Sequence, residues 1–238
     1  MSVPKEGAAE RSEEEEKPAV KLRPSGGLPH LHDGLIGLAE KPKMRPQVNM
    51  GEPGEDEHPL EFRYTLSYFK RPPGKFNPEE YSEHVQPIAT FGSVEQFWRI
   101  YSHLVRPSDV KDKVDFHLFK ERIKPVWEDE ANRNGGKWIL RLKKGLASRI
   151  WENLILAMLG EQFMVGEEIC GAVCSIRNQE DIVSLWNRTA SEPGITNRIR
   201  DTMRRVLNLP PSTVVEYKRH DDCLKDQTSY RNTDIYRR

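Results

Sequence analysis

Cysteine is scarce in this chain, with three thiols in 238 residues at Cys170, Cys174 and Cys223. A small, odd number excludes a disulfide framework and suits a reducing compartment. Within "EEICGAVCSIR", a strand would set the Cα atoms of Cys170 and Cys174 roughly 13 Å apart, beyond disulfide reach. No His or Cys stands nearby at ligand spacing, which argues against zinc. The pair therefore reads as small packing residues. Also missing is any apolar run of the roughly 18 residues that a membrane span needs, and the N-terminus lacks a basic-then-apolar leader. A cytoplasmic protein without membrane contact is expected.

Net charge is absent too, since 37 basic residues balance 37 acidic ones. The balance conceals an asymmetry. Residues 1–57 hold eight basic and twelve acidic side chains, a net of −4, which leaves 29 against 25, a net of +4, for 58–238. That excess admits an anionic ligand but falls short of a polybasic footprint. The first 57 residues contain no aromatic side chain and sustain no apolar period. Such a segment cannot offset its ordering entropy by burial, so 1–57 is expected to be a disordered tail. The stretch 219–238 loses periodicity again and is expected to be a second one, leaving a domain over 58–218.

What is present begins at His58. "PLEFRYTLSYF" places Leu60, Phe62, Tyr64, Leu66 and Tyr68 on one side, the pattern of a half-buried strand. "PIATF", "DFHLFK", "GKWILRLKK", "EICGAVCSIR", "DIVSLWNR" and "STVVEYK" are further strands. Helices are expected over 93–106, 146–164 and roughly 194–208. Several strands follow one another without an intervening helix, which predicts an α+β domain with a largely antiparallel sheet and helices gathered on one face.

On the first helix, Ser93 and Gln96 make a capping-box pattern. At about 100° per residue, Phe97, Ile100, Tyr101 and Leu104 form one stripe, and Val94, Trp98 and Val105 form a second beside it. The second stripe is either wider core contact or a partner surface. In "SRIWENLILAMLGEQF" the buried side is Trp151, Leu154, Ile155, Met158 and Leu159, while Leu156 falls among Arg149, Glu152, Asn153 and Gly160. Leu156 is either incidental surface or an anchor for a partner peptide.

One stretch carries chemistry: "KPVWEDEANRNGGKW", 124–138. An acidic run is commonly a solvated loop. Yet an indole attracts a delocalised cation, and a carboxylate beside it accepts two hydrogen bonds from a planar donor edge such as that of guanine. N7-methylguanine combines both features. Phosphates would need cations, and Lys137, Arg141 and Lys143 share one face of "GKWILRLKK", with Arg177 at the end of another strand. A competing reading is a hydrolase in which Glu128, Asp129 and Glu130 hold Mg²⁺, although adjacent loop carboxylates rarely converge on one octahedral ion.

"HPL" at 58–60, "SVEQFWRIYSHL" at 93–104, "IKPVWEDEANRNGGKW" at 123–138, "WENLILAMLGEQF" at 151–163, "GAVCSIR" at 171–177 and "VLNLPP" at 206–211 together resemble the eukaryotic translation initiation factor 4E family. Within it they are most similar to the type-2 branch, the 4E homologous proteins. The resemblance implies a curved antiparallel sheet with three helices on its convex face and a slot for the mRNA 5′ cap on the concave side. It implies that Trp127 and Tyr81 sandwich the 7-methylguanine, that Glu128 reads its edge, that Arg141 and Arg177 contact phosphate, and that Trp186 lies near the methyl group unless it is core. His58, Pro59, Val94, Trp98 and Leu156 are implied to bind helical 4E-binding peptides. The implied protein is a monomeric, non-enzymatic repressor without a cofactor or metal. It would compete with the active factor, bind GYF-domain scaffolds and inhibitory 4E-binding proteins, and engage scaffold 4G weakly or not at all; the alternative is a promoting factor acting through 4G. Three residues depart from the pattern: Ser67 replaces tryptophan, and Ile182 (for lysine) and Glu152 (for leucine) depart from the founding factor, in ways expected to weaken packing, phosphate contact and partner contact respectively.

Overall fold

The computed structural model describes residues 47–72, 77 and 80–236; the expected tail over 1–46 lies outside them. Among the described residues nine strands form one sheet: β1 (Val48–Asn49), β2 (Pro59–Lys70), β3 (Gln86–Ser93), β4 (Val114–Lys120), β5 (Gly136–Lys143), β6 (Ile169–Ile176), β7 (Glu180–Asn187), β8 (Val215–Arg219) and β9 (Asp234–Tyr236). Their order is β1-β3-β2-β4-β6-β7-β5-β8-β9, and every pairing is antiparallel except β1 with β3. Three long helices, α2 (Val94–Tyr101), α3 (Ala147–Leu159) and α4 (Pro193–Val206), supply the helical layer of this α+β sheet. Two short ones, α1 (Tyr81–His84) and α5 (His220–Asp226), carry too few residues to show a period in the sequence.

Strand alternation divides the apolar residues between two faces. Tyr64, Leu66, Leu118, Trp138, Leu140, Ala172, Cys174, Val183 and Leu185 enter the main core with Trp151, Leu154, Ile155 and Met158 of α3 and Ile199 and Met203 of α4. The residues of opposite parity, Phe119, Val173 and Trp186, form a second, smaller cluster with Cys170, against which Trp127 packs. Burying each large side chain of the main core contributes about 1.5–3 kcal/mol. All three cysteines are buried and unpaired, and burial pushes the Cys170 thiol up to about 12.

Local signals explain the helix ends. Ser93 Oγ accepts from the backbone N–H of Gln96 at 3.1 Å, and the Gln96 side chain accepts from the N–H of Gly92 at 2.9 Å. These are the reciprocal bonds of a capping box, displaced by one residue on the return arm. α2 stops at Tyr101, five residues before its expected end, because His103 and Leu104 turn their N–H groups to Ile100 and Tyr101 in tighter bonds. Pro193 opens α4, where its missing N–H costs nothing.

Two boundaries need correction. The segment after 218 is not a tail: α5 follows β8 directly, and β9 returns to pair Val215 with Tyr236, Glu216 with Ile235 and Tyr217 with Asp234. Polar anchors do what apolar periodicity does elsewhere. The buried Lys218 donates to Asp226 Oδ2 at 2.6 Å and Thr228 Oγ1 at 2.8 Å, and Thr233 donates to Glu216 at 2.7 Å. Residues 47–50 also join the domain, through β1 and a Met50 N–H bond to Thr90; backbone pairing of this kind leaves no mark on side-chain pattern.

Candidate functional site

The loop between β4 and β5 carries Trp127, and its own polar groups set its course. Asn132, fully buried, donates both amide hydrogens, to the carbonyls of Lys124 and Val126, each at 2.8 Å. Asp129 accepts from the N–H groups of Lys124 and Ala131, at 3.0 Å each. The acidic run therefore does not converge on one point: Asp129 is spent on the loop, while Glu128 and Glu130 are exposed. Gly135 and Gly136 close the loop where no side chain fits. A Cβ on Gly135 would lie 1.9 Å from the Asn187 carbonyl, and one on Gly136 would lie 2.5 Å from the Tyr217 hydroxyl.

This course lays Trp127 against the smaller apolar cluster, beside Trp186 of β7. Trp186 is buried, edge-on to Phe119 at 5.3 Å between ring centroids and 4.3 Å from the His220 ring. Between them stands Lys137 of β5. Its ammonium is 5.4 Å from the centre of Trp127, 5.1 Å from Trp186 and 4.9 Å from Tyr230. The side chain is wholly buried, and its hydrogen bond goes to Ser229 Oγ at 2.7 Å. Burial drives its pKa down to about 8. Next to it, burial and the Lys137 charge hold His220 down to about 3, so that imidazole is neutral and accepts or donates as a dipole only.

The other expected phosphate contacts are engaged. Arg141 reaches Glu216 and Glu180 at 2.7 Å each and the Tyr230 carbonyl at 2.6 Å. Arg177 pairs with Asp115 at 2.7 Å. Tyr81, at the start of α1, is half-buried; its ring lies 4.5 Å from Phe69 and its hydroxyl meets His117 Nε2 at 2.8 Å. His117 Nδ1 in turn meets Ser67 Oγ at 3.2 Å. Burial pushes His117 down to about 4, so one ring nitrogen donates and the other accepts. Ser67 thus forms one end of a hydrogen-bonded chain to Tyr81. Glu128 has no hydrogen bond or ion pair among the described residues. What joins the Tyr81 half of the site to the Trp127 half is Tyr230, whose hydroxyl bonds Ser175 Oγ at 2.8 Å and lies in electrostatic reach of Tyr81, Asp115 and Arg177.

Sequence reasoning missed Tyr230, Ser229, His117 and His220. Its one available signal for Tyr230 was a lone aromatic residue inside a polar run. Lys137 was found as a cation for phosphate, without its burial among rings.

On the helical side, the N–H of Val94 bonds the carbonyl of His58 at 2.9 Å. The His58 N–H and ring meet Glu95 at 2.8 and 2.7 Å, which raises the imidazole pKa. Pro59 opens β2 opposite Ser93. Val94, Trp98 and Leu156 are 39%, 41% and 37% exposed, too open for core residues.

A family model described as Eukaryotic initiation factor 4E matches residues 59–235. The chain belongs to the eukaryotic initiation factor 4E family. This 4E-family chain is 64% identical over 180 residues to eukaryotic translation initiation factor 4E-4 of Caenorhabditis elegans, covering 76% of this chain and 85% of that protein. It is 41% identical over 228 residues to eukaryotic translation initiation factor NCBP of Oryza sativa subsp. japonica, with 96% and 98% coverage. Among solved structures it is similar to C. elegans eIF4E-3 in complex with the 4E-binding protein Mextli and cap analog (TM-score 0.67, 34% identity, 73% of this chain and 98% of that one). It is also similar to Ascaris suum eIF4E-3 with m7G cap (TM-score 0.65, 36% identity, 69% and 92%). A 4E-family chain is not an enzyme, and the magnesium-dependent hydrolase reading is dropped.

Proposed function

We propose that this chain binds the 7-methylguanosine 5′ cap of mRNA in the cytoplasm and represses initiation, as a member of the type-2 branch. The observation that carries the binding half is the cationic Lys137 held among the rings of Trp127, Trp186 and Tyr230. Indoles that tolerate a buried ammonium also favour a positively charged purine. In this reading Trp127 and Tyr81 flank the base, Glu128 accepts from its N–H edge, Trp186 stands by the methyl group, and Lys137, Arg141 and Arg177 meet the phosphates. The cap ligands of the two similar solved structures support it.

The repressive half rests on Ile182, which removes a phosphate-binding cation present in the founding factor, and on Glu152, which replaces a leucine at the partner surface. His58, Pro59, Val94, Trp98 and Leu156 would take helical peptides of inhibitory 4E-binding proteins or GYF-domain scaffolds, with scaffold 4G held weakly. Mextli on the similar C. elegans structure supports a 4E-binding partner of this kind. A promoting factor is the second reading, favoured by the names of the relatives, which are initiation factors.

Trp127→Ala should abolish retention on immobilised cap analogue with the circular dichroism spectrum intact; a variant retained like the parent refutes the assignment. Pull-down with a 4G peptide against a GYF-scaffold peptide separates the two roles, and preference for 4G overturns repression.

A further inference from the structure

The C-terminal segment that sequence patterns leave as a tail lies on the cations of the candidate slot. Lys137 donates to Ser229 Oγ at 2.7 Å and sits 4.9 Å from the Tyr230 ring. Arg141 donates to the Tyr230 carbonyl at 2.6 Å. The Tyr230 hydroxyl is bonded to Ser175, two residues before Arg177 on β6, and is in electrostatic reach of that guanidinium. Two adjacent residues of one loop thus engage or neighbour all three cations that a nucleotide triphosphate would use.

We propose that Ser229 and Tyr230, the tip of the loop 227–232, form an autoinhibitory strap, which closes the slot by standing in place of a nucleotide's phosphates and lifts when that nucleotide binds. The proposal rests on the cap reading above and adds a regulator to it.

The tip can lift without unfolding the sheet, because the anchors lie on the flanks of the loop. Gln227 and Asn232, at its two ends, both hold left-handed backbone, with φ of 52° and 53°, uncommon for residues with a Cβ. Lys218, opposite Lys137 on β8, pins both flanks of the loop, through Asp226 and Thr228 before the tip and the Arg231 carbonyl after it, and Asn232 donates to Asp226 Oδ2 at 3.0 Å. β9 then pairs with β8 beyond it. Only Ser229 and Tyr230 reach the cations, through polar contacts that phosphate oxygens reproduce and strengthen, since bonds between ions outcompete bonds to neutral oxygens. A ligand that binds only the open form has its affinity reduced by the open fraction. A strap closed in nine molecules of ten therefore weakens apparent binding about tenfold.

The test uses the full chain and two readouts. Titrating Tyr230→Ala and Ser229→Ala with 7-methylguanosine triphosphate should give tighter binding than the parent, by about tenfold for Tyr230→Ala and less for Ser229→Ala. Unchanged or weaker binding in both variants overturns the strap and makes Tyr230 part of the ligand site or inert. Backbone nitrogen-15 relaxation is followed in the unsubstituted chain with inorganic tripolyphosphate as the probe. Rigid backbone at Ser229 and Tyr230 in the free chain, turned mobile on adding tripolyphosphate while β8 stays rigid, supports the proposal; a mobile tip without any ligand overturns it. If neither the parent nor the variants bind the methylated nucleotide, the cap reading falls, and the tripolyphosphate response alone decides the strap.

Discussion

Lys137→Met isolates what the buried ammonium costs and what it is for. In the folded chain its pKa falls from 10.5 to about 8 through burial. Holding the amine protonated there costs about 3 kcal/mol of folding free energy at neutral pH. The bond to Ser229 returns about 1 kcal/mol, and the three rings return part of the rest. Methionine has a similar length, no charge and favourable contacts with aromatic rings, so the variant should unfold about 1–2 kcal/mol less readily in urea near neutral pH. The sign with pH is fixed by linkage. Between about 8 and 10.5 the unfolded chain holds a proton on Lys137 that the folded chain has released, so the parent gains stability as pH rises through that window. The advantage of Lys137→Met should therefore shrink above about pH 8, while its affinity for 7-methylguanosine triphosphate drops below that pH, where the parent carries the charge. A variant no more stable than the parent near neutral pH, or one whose advantage is constant across the window, refutes the account of Lys137 as a desolvated cation.

Three further outcomes are expected. Asn132→Ala leaves the carbonyls of Lys124 and Val126 without their donor; it should destabilise by about 1–3 kcal/mol in urea unfolding and weaken cap-analogue binding through a looser Trp127. Tyr81→Phe removes the hydroxyl from His117 Nε2 inside a buried site and should cost about 1–3 kcal/mol, with no change in the order of cap-analogue preference. Proton NMR should place the His58 imidazole above its usual 6.5 because of Glu95; Glu95→Gln should return it towards that value. His58 thus contributes stability that is full below its unfolded pKa and is lost as pH climbs through the raised one, a dependence that Glu95→Gln should erase.

The sheet was legible from its alternation, because burial on one face selects every second residue: of the stripe read on β2, Tyr64 and Leu66 lie in the core and Leu60 and Phe62 pack against it. The angular position of Val94, Trp98 and Leu156 was legible for the same kind of reason, with the helical period in place of the strand's. Alternation assigns a side chain to a face but does not say what covers that face. Lys137 was therefore placed beside Arg141 correctly, and its burial under Ser229 and Tyr230 could not be foreseen. Arg141 was read as free for phosphate; its carboxylate partners come from β7 and β8, at sequence distances that no motif spans. The 219–236 segment escaped notice because its apolar anchors, Cys223 and Tyr236, are too few to make a period, and hydrogen bonds donated by Lys218 and accepted by Glu216 hold the rest.

The two outermost strands of the sheet are its shortest, β1 with two residues and β9 with three. Short flanks of this kind leave little exposed backbone for another chain to pair with, which guards against ribbon-to-ribbon aggregation. A fragment begun at His58, where the family resemblance starts, would discard Val48 and Asn49 and bare the open side of β3 at Ala89 and Thr90. Such a fragment invites self-association during expression or crystallisation, whereas one begun before Gln47 keeps that guard in place.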